Sequence, residues 1–357
     1  MGDATYRVYP YRWAVLGSFM LVNLVMQALW IDFSPIMRDA AAYYGVSELA
    51  IGFLAMLFMI VFVPLSIPAS WAIDRFGFRK AAGLGSVLMA AFAIVRAAGG
   101  PSFVLALVGT AGIAVAQPLL LNAWTKVAAH WFAEGERATA VGLVTLANLL
   151  GIAVGMLASP ALAAAFSVGA AQRVYAAAAV LSAAAFLALA RENPRSPAGP
   201  AGPGEKALML EGLRHALSVP SFRIFLAVAF VGMGLFNGIT TWIDQIVGPR
   251  GYGASEAGSL GALLLIGGVF GAVAIPALSD RTGKRKPWML AGLLASLPGL
   301  AGMAMARQFW LLAASAFSLG FFLTSVMPVG MQFSTEATRP TPEGTSNGII
   351  QLCGQVS

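Results

Sequence analysis

Apolar stretches of about twenty residues recur along the whole chain, near residues 12–36, 49–72, 81–98, 103–128, 138–160, 172–190, 222–247, 257–279, 288–306 and 309–333. Each is long enough to cross a hydrocarbon core of roughly 30 Å as a helix. The stretches are continuously apolar rather than alternating, which predicts helices and not a barrel. Only 10% of the residues are charged and 59% are hydrophobic, where a soluble domain carries about a quarter charged residues. An all-α integral membrane protein is expected, with membrane lipid as its surroundings. The formal charge of +7 does not indicate a nucleic-acid partner, because the basic residues sit in short clusters between apolar runs.

Catalytic and cofactor chemistry find little support. There is no metal-spaced His/Cys cluster, no nucleotide-binding loop and no nucleophile with a base and an orienter, so neither an enzyme nor a resident cofactor is expected. The single cysteine, Cys353, excludes an internal disulfide. The N-terminal segment MGDATYRVYPYRW enters the first apolar run without a small-residue cleavage site, which reads as a tail rather than a signal peptide.

Residues 191–206, RENPRSPAGPAGPGEK, have linker composition and are followed by an amphipathic piece, ALMLEGLRHALSV. Three segments are predicted: a six-helix half over 1–190, a cytoplasmic linker over 191–219, and a second half over 220–357. The last apolar run opens near residue 344 and is still apolar at Ser357. The second half is thus expected to comprise helices seven to eleven, truncated in helix eleven. With the N-terminus inside, 17 of the 22 basic residues fall on the cytoplasmic side, leaving Arg38, Arg96, Arg173, Arg250 and Arg307 outside. That asymmetry predicts a multi-pass plasma (cytoplasmic) membrane protein with a cytoplasmic N-terminus and linker.

The halves repeat one another. WAIDRFGFRK, residues 71–80, corresponds to PALSDRTGKRK, residues 276–286, and Asp74 and Asp280 lie 206 positions apart. The string Trp-Ile-Asp occurs at Trp30 to Asp32 and again at Trp242 to Asp244, 212 positions apart. The Asp-Arg-x-Gly loops resemble those of the major facilitator superfamily, which implies a fold of two six-helix halves and transport by alternating access. The resemblance implies a gating latch at Asp74, Arg75, Gly77, Arg79, Asp280, Arg281, Gly283 and Arg285. Gly77 and Gly283 would permit the tight turns, and the cations would also anchor that end to an anionic surface.

Longer stretches are more specific: ALWIDFSPI, AQPLLLNAWTKVAAHWF, ANLLGIAVG and MPVGMQFSTEATRPTPEGTSNG. They resemble the transporters of choline, haem and related solutes named after the feline leukaemia virus subgroup C receptor. Members bind a quaternary ammonium in an aromatic cage assisted by glutamines. Carried over, the cage tryptophan maps to Trp30 and a glutamine of helix eleven to Gln355. Another family glutamine is replaced by Leu149 beside Asn148, and a family tyrosine falls at or near Asn237, with Phe236 and Trp242 as neighbouring aromatics. Haem gains no histidine support, since His130 and His215 fall at span boundaries.

Asp32 and Asp244 are costly if deep in a bilayer, about 2.5 to 3.5 kcal/mol on insertion scales. Two readings fit. They face a shared cavity as coupling groups for protons, with Asp32 also able to pair with an organic cation, or they sit at wet helix ends with Trp30 and Trp242 as interfacial belt residues. Among other polar residues, Gln117, ahead of Pro118, and Asn148 are candidate substrate contacts, whereas Glu336, Arg339 and Glu343 form a candidate cytoplasmic gate. The expected function is secondary active transport of a small organic solute, with an organic cation such as choline first. Protons are candidate coupling ions, and a monomer is expected. The rivals are proton-coupled export of drugs or amphipathic metabolites, and a non-transporting sensor or receptor on the same fold.

Overall fold

A computed structural model describes residues 9–133, 136–194, 196, 209–338 and 343–357. Every regular element among the described residues is helical. Ten of these helical spans are long and apolar enough to cross a membrane. The chain divides into two compact units, Met1–Pro203 and Gly204–Ser357, and the division falls within the segment expected from composition to be a linker.

The first unit runs through α1 (Arg12–Ile31), α2 (Met37–Tyr44), α3 (Glu48–Phe76), α4 (Phe78–Ala98), α5 (Phe103–Leu121), α6 (Trp124–Trp131), α7 (Arg137–Ala165) and α8 (Val168–Leu189). Helix starts follow local chemistry: the hydroxyls of Ser47, Ser102 and Ser167 accept from backbone N–H groups three residues on, satisfying donors that a helix N-terminus leaves open. The first expected span, 12–36, is not one helix. It breaks after Ile31 and passes through a 3-10 turn, Ser34–Ile36, before α2, because Pro35 has no N–H to continue the α-helical ladder.

Within this unit α1 packs on α7 and α8, α4 on α5 and α8, and α3 on α5. Lipid offers no hydrophobic drive for helix association, so close backbone approach through small residues matters. A Cβ at Gly155 of α7 would lie 3.0 Å from the Ala28 carbonyl oxygen of α1, and one at Gly151 would meet the Leu24 carbonyl. The Gly-x-x-x-Gly pair therefore serves packing.

The second unit comprises α9 (Met209–Ser218), α10 (Pro220–Thr241), α11 (Ile243–Val247), α12 (Ala254–Thr282), α13 (Lys286–Met305), α14 (Phe309–Ala337) and α15 (Glu343–Val356). Here α14 packs on α12, α13 and α10, and α15 lies against α9, α10 and α14. Gly267 and Gly271 of α12 abut the carbonyls of Phe317 and Phe321, and Gly320 abuts that of Leu264.

The duplication is visible in one crossing. In the first unit Gly109 of α5 sits under Arg96 of α4: a Cβ there would lie 2.6 Å from the arginine Cβ. At the positions 206 residues on, the small and large partners have changed helices, with Gly302 on α13 against Ser315 on α14.

Candidate functional site

The break at the end of α1 gathers a buried polar cluster. Asp32 follows the last residue of α1 and is fully buried, and Trp30 is buried beside it. The Asp32 Oδ2 accepts from Arg96 Nη2 of α4 at 2.6 Å and from Gln172 Nε2 of α8 at 3.1 Å. Arg96 Nη1 also donates to the Leu29 carbonyl at 3.4 Å, and its guanidinium lies 5.1 Å from the Phe33 ring centroid. The arginine lies in the last turn of α4 and is 2% exposed. A cation at a helix C-terminus complements the negative end of the helix dipole, whereas Asp32 alone would oppose it. Donation from two helices, α4 and α8, to one carboxylate explains how a charge is carried in an apolar unit: it is paired and hydrogen-bonded. The reading of Asp32 as a wet helix end is thereby set aside.

Trp30 is fixed as well. Its Nε1 donates to the Ala55 carbonyl of α3 at 3.3 Å. Of the amides singled out by sequence, Gln117 and Asn148 are both buried. Asn148 Nδ2 donates to Val144 of its own helix, and the amide oxygens of both residues have no hydrogen-bond partner among the described residues. Further up α1, Asn23 accepts from the Trp124 indole at 3.2 Å, joining α1 to α6.

In the second unit, Asn237 Nδ2 donates to the Gly354 carbonyl at 3.4 Å, which brings α10 beside the residue next to Gln355 on α15. Phe236, Asn237, Trp242 and Gln355 are all half-buried. Gly354 makes this approach possible, since a Cβ there would collide with the Met233 side chain. Asp244 lies in the first turn of α11 and is buried.

The two latch loops each carry a positive-φ glycine but differ in their partners. Gly77 has φ +88° and Gly283 φ +64°, a region that glycine alone enters without a Cβ penalty. At the first turn, Glu192 accepts from the N–H groups of Phe78 at 3.0 Å and Arg79 at 2.7 Å, capping α4. His130 Nδ1 lies 3.1 Å from the Glu192 carbonyl oxygen. At the second, Arg285 pairs with Glu336 at 3.3 Å and donates to Ser279, and Gln332 also reaches Glu336. Arg75, Arg79 and Arg281 are exposed. The side chains of Asp74, Asp280 and Glu343 lie outside the described residues, as does Arg339 altogether. Of the expected gate, then, Glu336 is seen with the latch arginine Arg285.

Sequence reasoning missed Arg96, Gln172 and Glu192. For Arg96 a signal existed: it stands within an apolar helical run and carries the charge opposite to Asp32.

The ten apolar helices, their glycine-mediated crossings and the repeated loops define a multi-pass helical membrane protein. The Major Facilitator Superfamily pattern matches residues 15–357, and the chain belongs to that superfamily. It is 28% identical to the choline/ethanolamine transporter FLVCR2 of Rattus norvegicus, covering 99% of this chain and 68% of that protein. It is 30% identical to solute carrier family 49 member A3 of Xenopus tropicalis, covering 98% of this chain and 76% of that one. The choline/ethanolamine transporter FLVCR1 of Felis catus is 29% identical over 97% of this chain and 65% of its own length. Among solved structures, a bacterial homolog to the human lysosomal transporter Spinster, in an inward-facing and unoccupied conformation, superposes with a TM-score of 0.73 at 19% identity, over 98% of this chain and 81% of that one. A D-xylose-proton symporter gives 0.72 at 14% identity, over 97% and 88%. These relationships make the chain a transporter of small solutes.

Proposed function

We propose that the solute is a small organic cation of the choline or ethanolamine type, moved by alternating access with the two units as the moving bodies. The observation that carries this reading is the fixed, buried indole of Trp30, the residue onto which the cage tryptophan maps. Its N–H is engaged by the Ala55 carbonyl, which leaves the π-face as the surface a cation can use, worth about 0.5 to 2 kcal/mol depending on desolvation. Gln117 and Asn148 offer amide oxygens in the first unit, and Phe236, Asn237, Trp242 and Gln355 offer aromatic and amide groups in the second. The latch loops and the Arg285–Glu336 pair would bias the transport cycle.

A second reading, proton-coupled movement of drugs or amphipathic metabolites, is favoured by the burial of both Asp32 and Asp244. The two are separated by uptake of labelled choline and ethanolamine into proteoliposomes, with and without an inward proton gradient. A KM raised by Trp30→Ala, with uptake still measurable at high substrate, supports the cation site. Loss of only the proton-stimulated part in Asp32→Asn or Asp244→Asn supports coupling through that acid. Wild-type protein that neither binds nor moves either amine refutes the organic-cation reading.

A further inference from the structure

We infer that Arg96 is a positioning residue for Trp30: it grips the last turn of α1 on both sides of the indole and so sets the affinity for the transported cation. This rests on the proposed role of Trp30 as a substrate residue. The guanidinium bonds to the Leu29 carbonyl, the residue before Trp30, and to the Asp32 carboxylate, two residues after it. The helix ends at Ile31, so the turn carrying Trp30 lacks the onward ladder that would otherwise hold it. Arg96 supplies that hold from α4, Gln172 supports it from α8, and the Ala55 carbonyl fixes the indole from α3.

The pair reads as a clamp rather than as a proton relay. Putting a proton on Asp32 would leave a buried guanidinium without its counter-charge, and removing one member of a buried pair is strongly unfavourable. Close backbone approach of α5 sets the position of this part of α4, because a Cβ at Gly109 would lie 2.6 Å from the Arg96 Cβ and 2.9 Å from its backbone nitrogen.

The test is uptake kinetics of choline and ethanolamine in proteoliposomes for Arg96→Gln, Arg96→Lys, Asp32→Asn and the uncharged double variant Asp32→Asn/Arg96→Gln, each with and without Trp30→Ala. The double variant keeps the cluster neutral and guards against simple misfolding. The expected result is a KM raised about tenfold by Arg96→Gln with Vmax within about twofold, partial recovery in Arg96→Lys, and no further rise of KM once Trp30 is alanine. Additive effects of Arg96→Gln and Trp30→Ala would overturn the inference. So would a fall in Vmax at unchanged KM, or an Asp32→Asn protein that loses only proton-stimulated uptake. A readout free of substrate is the emission of the Trp30 indole, taken as the difference between each protein and its Trp30→Phe counterpart. It should shift in Arg96→Gln and return towards wild type in Arg96→Lys. Should the wild type transport neither amine, the substrate reading falls, while an unshifted Trp30 emission in Arg96→Gln is what defeats the clamp.

Discussion

A Cβ on Gly77 would lie 2.5 Å from the carboxyl carbon of Glu192: the turn between α3 and α4 is glycine because a carboxylate caps α4 in that space. Gly77→Ala combines a backbone penalty of about 1–3 kcal/mol, since φ +88° with ψ 159° is a region essentially confined to glycine, with displacement of the cap. It should lower thermal stability in detergent by more than Gly283→Ala, where no neighbour stands within 4 Å of the added Cβ. Glu192→Gln should cost about 1 kcal/mol, a capping-sized loss. Equal losses at the two glycines would show that the cap does not matter.

Removing one partner of the Asp32–Arg96 pair should be far costlier than removing a surface charge. Arg96→Ala is expected to destabilise by about 3–5 kcal/mol by leaving Asp32 buried and uncompensated. The double variant Asp32→Ala/Arg96→Ala should lose less than the sum of the two single losses, as measured in a double-mutant cycle of thermal unfolding. Additive losses would mean that the ion pair contributes no coupling.

The α1–α7 crossing gives an internally controlled comparison. Gly155→Leu forces the helices apart at Ala28 and Ile31 and should cost about 1–3 kcal/mol. Gly142→Ala, on the same helix with open space around its Cβ, should be neutral or stabilising by up to about 1 kcal/mol. The check is the midpoint of thermal unfolding for both proteins in one detergent.

Asn237 distinguishes hydrogen bonding from volume. Asn237→Asp replaces the donor facing the Gly354 carbonyl with an acceptor and should cost about 1–3 kcal/mol, whereas Asn237→Ala should cost about 1 kcal/mol. If the aspartate is the milder change, the α10–α15 contact does not depend on that donor.

Arg285 and Glu336 form a partly exposed pair, with 18% and 40% of their side chains accessible, so their coupling should be only about 0.2–1 kcal/mol and should fade in high salt. A transport defect in Glu336→Gln without a stability defect would then report gating rather than folding.

The apolar runs made the helices legible in sequence, and the Asp-Arg-x-Gly loops made the duplication legible, because both depend on local pattern. The break after Ile31 was less visible, since a hydropathy window averages across Pro35. The role of Arg96 as a buried ion-pair partner was not visible either. Arg96 lies three residues before Gly99, where a topology count sees a loop, and its partner Asp32 is 64 residues away in sequence. Glu192 looked like a linker charge because nothing in its neighbours points to Phe78 and Arg79, more than a hundred positions earlier. Trp30, Gln117 and Asn148 could be named as candidates, but their burial and fixed bonds follow from which helices pack, which no local pattern states.

Gly109 under Arg96 in one unit and Gly302 under Ser315 in the other mean that the duplicated halves are no longer interchangeable parts. A chimera placing α4 against α14 would set Arg96 onto Ser315, and the reciprocal exchange would face Gly302 with Gly109 and open a void. Each half has become the template for its own mate alone, so the symmetry survives as a memory of ancestry while the fit has become private.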